Sequence, residues 1–135
     1  MQAVQQDAGF AAVEWDTAVT VPVTTLDELI GRYGRPAFCK IDVEGFELEV
    51  LRGLSTPIPA ISFEYIPAAL DVALGCINRL QELGDYRFNH VPGESHKLQT
   101  GRWFTPNEMR HFLQQLTLQD GSGDIYAVYY YNELE

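Results

Sequence analysis

Hydrophobic positions along the chain follow two spacings, one typical of helices and one of strands. Apolar residues three or four positions apart predict amphipathic helices, which begin near residues 25, 46, 67 and 105. Short, mainly apolar runs predict strands at residues 37–42, 60–65, 86–91 and 125–131. Because helices separate most of the strands, the pattern predicts an α/β fold.

The predicted strands at 37–42 and 60–65 flank one short helix. A connection of this kind joins parallel neighbours through a right-handed crossover, so we expect the two strands to pair in parallel. Residues 1–9 show no clear period, and two β-prone runs follow at Phe10–Trp15 and Ala18–Val23. We therefore expect an N-terminal extension or β-hairpin at residues 1–20, followed by a single domain at residues 21–135.

Composition limits the partners that the chain is expected to bind. The 135 residues carry 19 acidic and 9 basic side chains, a net charge of −10. We therefore expect no nucleic acid and no membrane as a partner, because a phosphate backbone and an anionic lipid surface both bind clustered cations. The first residues also lack the basic and apolar regions of a secretion signal, so a cytoplasmic location is expected. Cys39 and Cys76 lie in apolar sequence and are expected to be buried, reduced thiols.

The most informative candidate chemistry follows the predicted strand at 37–42. That strand ends in Asp42, and Glu44 and Gly45 come next. Ligands of open α/β sheets bind beside the carboxyl ends of the strands, and two crowded carboxylates there suit acid–base chemistry or a divalent cation. The structural alternative is that these acids cap the helix predicted to begin near Phe46.

Two segments, Val21–Leu29 and Phe38–Leu54, resemble the FkbM family of methyltransferases. The stretch Ile61–Glu64 follows at the distance usual in that family and strengthens the resemblance, which is clear over residues 21–65. The resemblance implies a Rossmann-like class I fold. It also implies the use of S-adenosylmethionine, mostly to methylate hydroxyl groups, with a small hydroxyl-bearing molecule as the acceptor.

The same resemblance points to a missing cofactor loop. In that fold a glycine-rich loop after the first strand holds much of the cofactor, because its backbone amides approach the ligand closely. Upstream of Val21 the sequence has a single glycine, Gly9, with no strand before it. The resemblance therefore implies an incomplete fold, in which residues 21–135 supply the fourth to seventh strands and the last strand is antiparallel. We expect this chain to be inactive alone, and no cofactor to bind tightly to it.

The resemblance also assigns roles to individual residues. Asp42 would face the methyl group and the acceptor hydroxyl, as a general base or a metal-holding group, because a hydroxyl must lose its proton as it attacks. Glu44 is the second catalytic candidate. Glu64 and His90 are candidates for substrate binding, with a helix cap as the alternative for Glu64 and an exposed strand end as the alternative for His90. The cofactor-binding residues stay unassigned, and no metal ligand is expected, because the histidine spacing fits no metal motif.

Two other functions remain open at this stage. The chain could be a non-catalytic α/β module that self-associates, or that a separate partner completes, through the exposed edge of the strand at 37–42. It could also be a small hydrolase in which Asp42 and Glu44 hold Mg²⁺, since magnesium often binds few carboxylates together with substrate phosphates.

Overall fold

The computed structural model describes residues 18–93, 97–98 and 101–130. Within them, a short 3₁₀ turn at Pro67–Ala69 precedes the third helix. The helices and strands follow in the order α1 (Leu26–Tyr33), β1 (Phe38–Ile41), α2 (Glu47–Arg52), β2 (Ala60–Tyr65), α3 (Leu70–Leu83), β3 (Tyr86–Pro92), α4 (Pro106–Gln114) and β4 (Gly123–Tyr129).

The four strands form one mixed sheet in the order β1-β2-β4-β3. β1 and β2 pair in parallel, whereas β4 is antiparallel to both β2 and β3. The strands β1, β2 and β3 therefore run in the same direction, and their carboxyl ends meet at one edge. The predicted parallel pair and the antiparallel closing strand are confirmed, although β4 begins two residues earlier than its predicted start at residue 125.

One face of the sheet packs against the helices. Directly paired residues project to the same face of a sheet, so the register places Ile41, Phe63, Ile125 and His90 in one row. All four side chains are buried. The helix α3 contacts β2, and α4 contacts β3, on this face. Other core residues are Leu51, Leu54, Ile58, Ile61, Ala73, Cys76, Ile77, Leu80, Tyr86, Phe88, Met109, Leu113 and Ala127.

The start of the described chain differs from the sequence prediction. Ala18–Val23 forms no strand, and a single bridge at Thr20 is its one element of β-structure. The run is exposed along its length, and Pro22 has no amide hydrogen to contribute to a ladder. Residues 1–17 of the predicted extension lie outside the described residues. Of the two cysteines, Cys76 is buried as expected, whereas Cys39 is half-buried.

Tyr86 joins the start of β3 to the segment before β2. Its hydroxyl donates a hydrogen bond to the carbonyl of Ile58 at 2.6 Å and accepts one from the Ile58 amide at 2.9 Å. Burial raises the pKa of Tyr86 to about 12, so the hydroxyl keeps its proton at neutral pH. One buried side chain thus satisfies both polar groups of a buried backbone position.

Tyr86→Phe is expected to lower the free energy of unfolding by about 2–4 kcal/mol, because it leaves a buried amide and a buried carbonyl without a partner. Urea denaturation followed by circular dichroism measures this loss. Tyr33→Phe is the matched control, since the Tyr33 side chain is exposed. Equal stability of the two variants would contradict the assigned role of the Tyr86 hydroxyl.

Candidate active site at the carboxyl edge of the sheet

Three carboxylates lie level with one another at the carboxyl edge of the sheet. The last pair of β1 and β2 joins Ile41 to Phe63, so Asp42 follows at the level of Glu64. Glu64 in turn pairs with Asp124, because β4 runs in the opposite direction and begins at this edge. Neighbouring strands are about 4.8 Å apart. Glu64 and Asp124 therefore lie on adjacent strands and on the same face, and Asp42 follows directly after the end of β1.

The turn that carries Asp42 and Glu44 has a left-handed backbone. Glu44 has a φ of 52° and Gly45 a φ of 102°, and the amide of Phe46 donates to the carbonyl of Val43 at 3.3 Å. A left-handed conformation costs a residue other than glycine about 1–2 kcal/mol. Such strain is typical of functional sites, where the surrounding structure holds the backbone in place. Asp42 and Glu44 are both exposed in this turn.

Neither of the proposed helix caps is found. Phe46 occupies the N-cap position of α2, and no side chain caps that helix end. Ile66 occupies the same position before the 3₁₀ turn, again with no side-chain cap. The cap interpretation is therefore wrong for Asp42 and Glu44, and also for Glu64. Helix capping therefore does not explain these three acids, and a role in function is favoured.

Two acidic residues of this edge were missed by the sequence reasoning. Glu47, the first residue of α2, is buried, and its Oε1 accepts a hydrogen bond from the Gly45 amide at 3.0 Å. Asp124 lies directly before the predicted start of the last strand, at residue 125, and was not a candidate site residue. The antiparallel direction of β4, which the sequence predicted, brings the start of that strand to this edge. The position of Asp124 could therefore have been predicted. Nothing in the sequence pattern separates the buried Glu47 from its exposed neighbour Glu49.

Electrostatics show that these acids interact. Partial burial raises the pKa of Glu64, and the negative charges of Asp124, Glu44, Glu47 and Asp42 raise it further, in that order of size. A carboxyl group with a raised pKa keeps its proton to a higher pH, because its environment makes the ionised form less stable. The edge is therefore a place where a positively charged or hydrogen-donating ligand would relieve repulsion.

Glu64→Gln is expected to stabilise the protein at pH 7. The pKa of Glu64 is raised in the folded state, so the folded protein binds more protons than the unfolded chain just above pH 4.5, and stability falls as pH rises through that interval. Removing the ionisable group should raise Tm by roughly 1–4 °C at pH 7, and the difference should vanish below pH 4.5. Calorimetric scans at several pH values, with Glu49→Gln as control, measure this; a lower Tm for Glu64→Gln at pH 7 would contradict it.

His90 lies on the other face of the sheet. It pairs with Ile125, one position away from the Asp124 that pairs with Glu64, so the two side chains project in opposite directions. The expectation of an exposed strand-end histidine is wrong, because His90 is buried and stacks on Phe112 with ring centroids 3.8 Å apart. Burial lowers its pKa. The structure does not bring His90 together with the carboxylates, and its role in substrate binding stays a prediction.

A separate groove of about 530 Å³ lies along α4. Its lining residues are Arg102, Phe104, Asn107, Glu108, His111, Phe112 and Gln115. An ion pair between Arg102 and Glu108 forms part of its wall. None of the carboxylates at the sheet edge lines this groove. The groove and the interacting carboxylates thus lie at different places. The carboxylates are the better indication of chemistry, because they lie at the carboxyl edge of the sheet, where ligands of α/β sheets bind, and because burial and like charges raise the pKa of Glu64 there.

The described ranges contain neither a candidate metal cluster nor a helix that could span a membrane. No group of three or more histidine, cysteine or acidic residues there is arranged to hold a metal ion. No helix in the same part of the chain has both the length and the apolar character needed to cross a bilayer. The magnesium-dependent alternative stays a prediction.

Comparison with known proteins identifies the family. The family model described as the methyltransferase FkbM domain matches residues 2–119. The chain therefore belongs to the FkbM methyltransferase family, and the resemblance of its motifs to that family is confirmed. Membership implies S-adenosylmethionine as the methyl donor that this family uses, and a small acceptor substrate. No curated protein and no solved structure matches the chain.

Proposed function

We propose that the carboxyl edge of the sheet is the acceptor side of an S-adenosylmethionine-dependent O-methyltransferase site. The observation that carries this proposal is the level arrangement of Asp42, Glu64 and Asp124 beside a left-handed turn, in a chain that belongs to a methyltransferase family. The order of the sheet supports it, because a parallel pair followed by an antiparallel closing strand is the arrangement expected for the last strands of a class I fold.

Each residue of this edge has its own role in activating the acceptor hydroxyl group. Asp42 is exposed and is the general base, which takes the proton from the acceptor hydroxyl as that oxygen attacks. Glu64 is half-buried and accepts a hydrogen bond from a second polar group of the acceptor. Glu44 is the neighbouring carboxylate on the turn. Two exposed apolar residues of the edge, Phe46 and Ile66, offer contacts to the carbon skeleton of the acceptor.

The donor group S-adenosylmethionine, when bound, supplies an electrophilic methyl group on a positively charged sulfur. The acidic edge suits that charge, but the described residues do not provide the amide cradle that the family uses. Among the described turns that lead from a strand into a helix, Gly45 is the glycine with a left-handed backbone. The helix that follows it, α2, has six residues. The fit is therefore partial. We propose that this chain by itself binds the donor with a Kd weaker than about 1 mM.

Isothermal titration calorimetry and a transfer assay test the two parts of this proposal. Titration of the chain with S-adenosylmethionine should show no tight binding, and a micromolar 1:1 isotherm would contradict the weak-donor part. The chain should therefore be inactive alone at micromolar donor, in line with the expectation from the sequence. Weak binding raises KM without removing the chemistry, so methyl-labelled donor at millimolar concentration should label a hydroxyl acceptor. A panel of methyl glycosides, polyols and hydroxy acids serves as the probe, and absence of labelling across the panel would count against the transferase proposal.

A non-catalytic module is the second candidate, and the free side of β1 favours it. Among the described strands β1 has β2 as its single neighbour, and Phe38 on it is half-exposed. An unpaired strand edge with an apolar side chain can pair with another chain. Light scattering over a range of concentrations discriminates here. A monomer at all concentrations excludes self-association through β1, whereas a dimer that Phe38→Lys dissociates supports it.

A further inference from the structure

We infer that Glu47 is a positioning residue, which holds the turn between β1 and α2 in the geometry that presents Asp42. Its effect on methyl transfer rests on the function proposed for Asp42. Its effect on the backbone of the turn does not, and the two can be measured separately.

The side chain of Glu47 is buried, although Glu47 follows an exposed turn. Its residue is 3% exposed, whereas Glu44 and Gly45 before it are exposed. Burying a carboxylate is costly unless its oxygens accept hydrogen bonds. The bond that compensates here runs from the Gly45 amide to Oε1 of Glu47, over 3.0 Å. Glu47 therefore reaches back from the helix into the turn.

The turn needs such an anchor, because its backbone is strained. Glu44 and Gly45 are consecutive left-handed residues, with φ values of 52° and 102°, and a left-handed backbone is unfavourable for a residue with a Cβ atom. The N-cap residue Phe46 contributes no side-chain hydrogen bond. One backbone bond, from Phe46 to Val43, closes the turn at 3.3 Å. The bond to Glu47 is the side-chain contact that fixes the Gly45 amide.

Asp42 lies between two fixed points of the chain. On one side Ile41 is buried and paired with Phe63. On the other side Gly45 is held by Glu47. Asp42 itself is exposed, so side-chain packing does little to determine its direction. The direction of the Asp42 carboxylate therefore depends on the two anchors, and Glu47 supplies the second one.

Three substitutions distinguish the effect of the Glu47 hydrogen-bond acceptor from the effects of its charge and its size. Glu47→Gln keeps an oxygen at the position of Oε1, Glu47→Met keeps the length but has no such acceptor, and Glu47→Asp keeps the charge on a side chain that is too short to reach Gly45. Glu49→Gln on the same helix is the control, because Glu49 is exposed and makes one long contact to Arg52, at 3.9 Å.

Hydrogen exchange of the Gly45 amide tests the turn directly by NMR. We expect exchange at least about tenfold faster in Glu47→Met and Glu47→Asp, because the local opening loses its hydrogen bond, with amides of β2 and β4 unchanged. Glu47→Gln and Glu49→Gln should match the wild type. Unchanged Gly45 exchange in both Glu47→Met and Glu47→Asp would overturn the inference. Should Glu47→Met not fold, Glu47→Asp carries the comparison.

Steady-state transfer with labelled donor and the best acceptor of the panel tests the consequence. Misplacing a reacting group by about 1 Å can cost about 100-fold in rate, so kcat should fall by up to about that factor in Glu47→Met while KM for the donor stays within about twofold. Glu47→Gln should retain most of the kcat. A lower Tm with an unchanged kcat would mean a merely structural role and overturn the positioning claim. Faster Gly45 exchange together with an unchanged transfer rate in Asp42→Asn would instead overturn the proposed function and support the turn-holding role.

Discussion

Asp42→Asn is expected to lower the rate of methyl transfer by at least about 100-fold, because a general base contributes about 10²–10⁴ to the rate of a reaction. Asparagine has nearly the same shape and keeps one acceptor oxygen, but it cannot take a proton from the acceptor hydroxyl. Asp42 is exposed and lies in a turn, so folding should be unaffected. The loss should therefore fall on kcat, measured with labelled donor at millimolar concentration and the best acceptor of the panel.

The control for this variant is Asp71→Asn. Asp71 is an exposed acid in the first turn of α3, and it is not among the charges that raise the pKa of Glu64. It should transfer methyl groups at the wild-type rate. Equal rates for Asp42→Asn and Asp71→Asn would show that Asp42 is not the base.

Gly123→Ala is expected to lower the free energy of unfolding by about 3 kcal/mol or more, which is the upper range for an overpacked core position. A Cβ atom at Gly123 would lie 2.5 Å from the Val91 carbonyl oxygen and 2.6 Å from the Tyr65 hydroxyl. Neither neighbour can move easily, because Gly123 pairs with Tyr65 on β2, and Val91 is part of the ladder between β3 and β4. The strain would fall on the strand start that carries Asp124.

Gly121→Ala is the matched control, since no atom lies within 4 Å of a Cβ atom at that position. Its stability should equal that of the wild type in urea denaturation. If Gly123→Ala were as stable as Gly121→Ala, the close packing of β4 between β2 and β3 would be contradicted.

The order of elements was predictable because it depends on local spacing. The apolar runs located the strands within one or two residues, and the threonine–glutamate pair at Thr105 and Glu108 formed the capping box that such a pair predicts. The pair at Thr25 and Glu28 forms one of the two hydrogen bonds of such a box. Thr25 accepts from the Glu28 amide, but the Glu28 carboxylate binds the Thr24 hydroxyl instead.

Positions that depend on pairing between distant strands were harder to predict. Asp124 reaches the site only through its register with Glu64, sixty positions earlier in the chain. For His90 the sequence contained two conflicting signals. Tyr86, Phe88 and His90 alternate along β3 and are all buried, so the alternation assigned His90 to the core face, while its place near the strand end suggested exposure. The burial of Glu47 depends on a turn geometry that spacing does not encode.

The most direct test of the central claim, that methyl transfer takes place at the carboxyl edge of the sheet, is an NMR titration of the ¹⁵N-labelled chain with S-adenosylmethionine, whose methyl group must reach that edge. Millimolar ligand suffices for a weak complex. We predict that shifted amides will cluster at residues 42–47, at Glu64 and at Asp124, with a smaller set of shifts in Asp42→Asn. Shifts that cluster instead at Phe104 and Phe112 would place the site in the groove along α4 and contradict the account.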